Sequence, residues 1–148
     1  MVDYISARDA IAAILGTVAI TTPIAASIQT VDVTPDAMAV EKAPAFVLVG
    51  YESRWLRAPG GTRRRIYTVG IRLIVRETTG APMQEILEAF KEATGAAFDS
   101  KITLGLGGGY SVVEGPNWIQ REPVYDGGSL WDEGEIIVEL GDSATFGP

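Results

Sequence analysis

The stretch that decides the fold runs from Ala45 to Thr79, and its clearest part is Tyr67-Thr68-Val69-Gly70-Ile71-Arg72-Leu73-Ile74-Val75-Arg76. Tyr67, Val69, Ile71, Leu73 and Val75 share one parity. Thr68, Gly70, Arg72 and Arg76 sit on the other, with Ile74 as the one apolar intruder. A period of two is a strand with one face buried and one mostly wet. Upstream, Phe46-Val47-Leu48-Val49-Gly50-Tyr51 is apolar on both parities and turns polar at Glu52-Ser53-Arg54. Between the two runs, Ala58-Pro59-Gly60-Gly61-Thr62 supplies the fixed φ of proline and the positive φ of glycine that reverse a chain. The stretch therefore predicts a long antiparallel hairpin whose far end projects beyond the body of the protein.

Working outward, residues Tyr4 to about Val18 carry apolar groups at Tyr4, Ala7, Ile11, Ile14, Leu15 and Val18. That is helical spacing, with Ser6 to Asp9 as a capping box and Asp3 as a rival cap. Ala19 to Ser27 reads as a connector punctuated by Pro23, and Ile28 to Val33 as a short strand. Asp36 to Lys42 has the composition of a helical turn, stopped by Pro44. After the hairpin, Pro82 opens a second helix and Gly95 closes it. Met83, Ile86, Leu87, Phe90, Ala93 and Thr94 face inward, while Gln84, Glu85, Glu88, Lys91 and Glu92 face outward. Leu104 to Gly109 is a loop and Tyr110 to Glu114 a strand. Trp118 to Glu122 continues it or forms another short strand, and Leu130 to Leu140 is the last strand.

This order predicts an α+β domain over 1–140, a mainly antiparallel sheet with the long hairpin and two helices packed on one face, followed by a tail at 141–148. At 148 residues with 47% hydrophobic content, one domain with one core is expected.

Composition excludes much chemistry. The chain has no cysteine and no histidine, which removes disulfides, thiolate nucleophiles, Ser-His-Asp arrangements and zinc sites with nitrogen or sulfur ligands. Asp3, Arg8 and Asp9 interrupt any secretory leader, and Ala10 to Ile28 is too broken by Gly16 and Pro23 for a membrane span. The Gly105–Gly109 run lacks the Gly-Lys-Ser/Thr ending of a phosphate loop and has Tyr110 where a dinucleotide fingerprint needs glycine. No cofactor and no metal are expected. Asp132, Glu133 and Glu135 form a local acidic cluster beside a turn, which reads as a solvated surface in preference to a catalytic carboxylate pair.

The net charge of −7 conceals a polarity. Arginines 54, 57, 63, 64, 65, 72 and 76 give the Arg54–Arg76 segment +7 without an acid. From Glu114 to Asp142, acids at 114, 122, 126, 132, 133, 135, 139 and 142 against Arg121 alone give −7. Two readings are open: the segments neighbour each other within one monomer, or identical copies dock positive edge to negative edge and close into a ring. Arg54, Arg57, Arg63, Arg64 and Arg65 with Trp55 are the candidate positive interface, and Asp132, Glu133 and Glu135 the candidate negative one. A solvated hairpin end, or a nucleic-acid contact through the arginines, is the competing account of the positive end.

Taken together, the Ala-Arg-Asp-Ala-Ile-Ala-Ala-Ile-Leu helix at 7–15, Lys42-Ala43-Pro44-Ala45-Phe46-Val47-Leu48-Val49-Gly50, the Arg-rich hairpin and the Pro-Met-Gln-Glu-Ile-Leu-Glu-Ala-Phe helix at 82–90 resemble the tail-terminator, or tail-completion, proteins of long-tailed bacteriophages. The resemblance is one of pattern and order over most of the chain, shared with neighbouring neck proteins such as head–tail connectors and stoppers. It implies a non-enzymatic virion protein, assembled in the host cytoplasm as a hexameric ring. Such a ring caps the tail tube, meets the tail-tube protein on one side and a connector or stopper protein on the other, and lets genomic DNA pass without specific binding. It implies no membrane partner and brings no catalytic residues.

Overall fold

The structure is a computed structural model and describes residues 4–33, 43–57, 63–78, 80–106, 110–118 and 124–140. In chain order the elements are α1 (Tyr4–Leu15), β1 (Ala19–Ile20), β2 (Ala26–Ser27), β3 (Thr30–Asp32), β4 (Ala45–Arg57), β5 (Arg63–Arg76), α2 (Met83–Asp99), β6 (Tyr110–Trp118), β7 (Val124–Asp126) and β8 (Ser129–Leu140). Six strands form one sheet in the order β3-β4-β5-β8-β6, with β7 paired to β8, and β1 and β2 make a separate small hairpin. Every pairing is antiparallel except β3 with β4, so the sheet is mixed. The fold is α+β, with both helices lying against the sheet.

The expected hairpin is β4 and β5, in register from Ala45↔Ile74 to Arg57↔Arg63. A bulge separates Leu48 from Gly50, whose φ of +150° suits glycine. Its consequence is a change of parity. Phe46 and Leu48 face the core before the bulge, whereas after it the register sets Tyr51 opposite Val69, Ser53 opposite Tyr67 and Trp55 opposite Arg65. Val47, between Phe46 and Leu48, is buried as well, so both parities of the first run are apolar. β8 then follows β5 from Arg76↔Ser129 to Arg65↔Leu140, so the last strand lies at the centre of the sheet.

The core sits between one sheet face and the helices. Tyr67, Val69, Ile71, Leu73 and Val75 of β5 meet Ile136, Val138 and Leu140 of β8, with Ile11 and Leu15 from α1 and Ile86, Leu87, Phe90 and Phe98 from α2. Each large apolar side chain removed from water stabilises by about 1.5–3 kcal/mol.

Four local expectations are corrected. α1 begins at Tyr4, so Ser6 lies inside the helix and does not cap it; Asp3 lies outside the described residues. The connector at 19–27 is the β1–β2 hairpin, which forms as Ile20 and nearby Ile28 bury. Gly95 does not end α2. The helix runs on to Asp99 because Phe98 continues the buried row Phe90, Thr94, Phe98. Burying that ring outweighs the roughly 1 kcal/mol an interior glycine costs. Finally, β6 continues through Gly115 and Pro116 to Trp118 with two register shifts. Gly115 is needed there: its φ is +112°, and a Cβ would lie 2.5 Å from the Glu135 carbonyl oxygen. The expected turn at 36–42, the hairpin reversal at 58–62 and the tail at 141–148 lie outside the described residues.

Candidate interaction surface

Strand alternation splits the acidic cluster. Along β8 the even positions from Leu130 to Leu140 are buried and the odd positions are half-buried. Asp132 therefore points to the core side and is fully buried, whereas Glu133 and Glu135 lie on the outer face. The Asp132 carboxylate receives the Lys91 ammonium of α2 on Oδ2, and the Glu133 backbone N–H donates to its Oδ1 at 2.7 Å. Lys91 also stands 5.5 Å from the centre of the Trp118 ring and 3.4 Å from Glu88. The expected outward lysine and surface aspartate are thus a buried ion pair fastening helix to sheet. Asp132 is not placed to meet a partner.

On the outer face, cross-strand register brings acid to base within one chain. Arg72 stands opposite Glu133, and its Nε donates to Glu133 Oε1 at 3.0 Å while its guanidinium lies 4.1 Å over the Trp131 ring. Nearer the hairpin end, Arg64 Nη1 lies 3.0 Å from Glu139 Oε1. So Glu133, Glu139, Arg64 and Arg72 are consumed internally, and for these four the reading of neighbouring segments in one monomer holds. Glu139 and Arg72 were not among the residues singled out from the sequence. The signal was there, in the matching parity of two alternating strands, but it becomes usable only once β8 is known to lie beside β5.

The hairpin end is different. Arg65 is held by rings: its guanidinium carbon lies 4.4 Å from the centre of Trp55 and 5.7 Å from that of Tyr67, and Nη1 donates to the Tyr67 hydroxyl at 3.1 Å. Among the described residues its Nε is buried without a hydrogen-bond partner. Trp55 remains 43% exposed, so this stack reaches the surface. Beyond it the backbone register pairs Arg57 with Arg63. Arg54 is exposed and, among the described residues, makes no ion pair. Glu135 is in the same position on the acidic side, opposite Gly70 and Asn117 instead of a base.

Chemically this arrangement can bind carboxylate or phosphate through guanidinium groups and stack planar groups on Trp55. It offers no nucleophile beside a base, and among the described residues no group of three or more acidic side chains could hold a metal ion. A cleft of about 590 Å³ at the other end of β5 has a mixed polar and apolar wall that includes Ser27, Gln29, Val75, Arg76, Glu77 and Ile86. No helix among the described residues is long and apolar enough to cross a membrane. The chain matches no protein-family model, and no curated protein matches its sequence.

Proposed function

We propose that the protein is a structural subunit of a bacteriophage tail or neck, acting as a ring at the head-proximal end of the tail that stops tube growth and joins tail to head. The observation that carries this reading is the charge left over after internal pairing. Among the described residues, exposed Arg54, which makes no ion pair, and the ring-held Arg65 form a positive end, on the two strands whose sequence also carries Arg57 and Arg63. Glu135, with Glu114 opposite Ile137, forms a separate negative stretch. Two unlike surfaces on one chain suit a heterologous contact, in which each copy offers its positive end to the next copy's acids and the series closes into a ring. The likeness to phage tail terminators supplies the number six and the partners: a tail-tube protein, a connector or stopper protein, and DNA that passes through the lumen.

Contacts of this kind are desolvated only on assembly, so association is expected to weaken as salt rises. Native mass spectrometry of the protein with uncapped tail tubes should show six copies at tube ends at low salt and fewer at high salt. Arg57→Glu with Arg63→Glu should abolish the ring while leaving the unfolding midpoint unchanged. Monomers with bare tube ends at every salt concentration would overturn the reading.

A further inference from the structure

The two edges of the sheet are not equally protected. β6 is blunted by two register shifts and by Pro116, devices that keep a free edge from pairing. β4 is different. β3 covers it only at Ala45, Phe46 and Val47, and among the described residues no strand pairs with its outer side beyond them. From Tyr51↔Val69 to Arg57↔Arg63 it holds an unbroken register on β5 with no proline. Among the described residues this leaves seven residues of edge, about 23 Å, whose outward backbone donors and acceptors no strand takes up.

The residues on that edge have a particular order: Tyr51-Glu52-Ser53-Arg54-Trp55, aromatic, acid, serine, base, aromatic. Read in the opposite direction, the pattern of types becomes aromatic, base, serine, acid, aromatic. An antiparallel pairing of this stretch with a second copy of itself, centred on Ser53, sets Glu52 opposite the partner's Arg54 and Arg54 opposite the partner's Glu52. The same register sets Tyr51 opposite the partner's Trp55 on both sides. Opposite charges and aromatic pairs at directly facing positions are the stabilising combinations of an antiparallel sheet. Shifting the centre by one residue destroys both matches.

Within its own chain the stretch leaves these charges uncommitted. Glu52 and Arg54 are exposed, their β5 neighbours are Thr68 and Ile66, and neither makes an ion pair among the described residues. We infer that β4 is a self-complementary edge, through which two copies of this chain join their sheets about a two-fold axis at Ser53. This contact is isologous and cannot propagate around a cyclic ring. It is thus a second association mode of the subunit, and it competes with the ring for Arg54 and Trp55. A strand pair of this length is a small interface, so the dimer is weak and exchanges readily.

The chain contains no cysteine, which makes the test clean. Residues directly opposed across an antiparallel pair have Cα atoms about 4.5–5.5 Å apart. That lies inside the roughly 4.4–6.8 Å window a disulfide tolerates. Ser53→Cys should therefore oxidise to a covalent dimer much faster than Gln84→Cys, an exposed control on α2. In the Ser53→Cys background, Glu52→Arg replaces two attractive pairs with two repulsive ones and should slow cross-linking roughly tenfold. Adding Arg54→Glu reverses both charges, recreates the complementary order and should restore the rate, with far-UV circular dichroism unchanged throughout. Equal oxidation of Ser53→Cys and Gln84→Cys would overturn the inference, as would a doubly swapped variant that stays as slow as the single one. Ser53→Cys and Glu52→Arg leave Arg54, Arg57, Arg63 and Glu135 in place, so failure of these two and failure of the ring are separate results.

Discussion

The two faces of the sheet handle charge in opposite ways. On the helix side Lys91 and Asp132 form an ion pair at the apolar core; the Asp132 side chain is fully buried, and Lys91, 12% exposed, also reaches Glu88. On the outer side Arg72–Glu133 and Arg64–Glu139 lie along the surface, the second with half of the arginine in solvent. Asp132 and Glu133 are adjacent in sequence, yet they belong to these two regimes because a strand turns successive side chains to opposite faces. The lesson is that the consequence of losing a partner depends on which face it occupies, not on how close the charges are.

The sharpest way to break the comparison is Lys91→Met. It leaves the Asp132 carboxylate buried and uncompensated, and should lower stability by about 3–5 kcal/mol in urea unfolding. Adding Asp132→Asn removes the stranded charge while keeping an acceptor for the Glu133 N–H, so at least half of the loss should return. A double variant as unstable as the single one would show that packing of the lysine stem, not charge, fastens α2 to the sheet. Next in size is Arg72→Ala, which loses both a half-buried ion pair and the stack on Trp131. A drop of about 1–2 kcal/mol is expected, with only part of it removed by salt. Smallest is Arg64→Ala. Its exposed pair with Glu139 should contribute less than about 0.5 kcal/mol at low salt and nothing measurable at high salt. If Arg64→Ala matched Lys91→Met, the distinction between the faces would fail.

Legibility followed range. The alternation at Tyr67–Val75 predicted β5, and the apolar rows of 4–18 and 83–94 predicted both helices, because such patterns are read within a few residues. The paired use of Arg72 with Glu133 and Arg64 with Glu139 was not legible, since each pair spans more than sixty residues of chain. Lys91 was assigned outward on helical spacing alone. What turns it inward is Asp132 arriving from a strand that follows it by forty residues. At the candidate interface, Arg54, Arg57, Arg63, Arg64 and Arg65 read as one basic cluster. In three dimensions Arg64 is bridged, Arg65 is stacked and Arg57 pairs with Arg63 in the backbone register.

Sequence alone thus determined both helices, the long hairpin, the last strand, the α+β class and the excess of arginine over acid along the hairpin, because periodicity, turn residues and composition are local properties. Only the tertiary structure decided, among the described residues, which acids are neutralised and which are left, and which sheet edge no strand covers. Those outcomes depend on β8 inserting beside β5 and on a bulge that changes the parity of β4. Pairing of distant strands is set by the packing of the whole sheet, and no window of residues contains it.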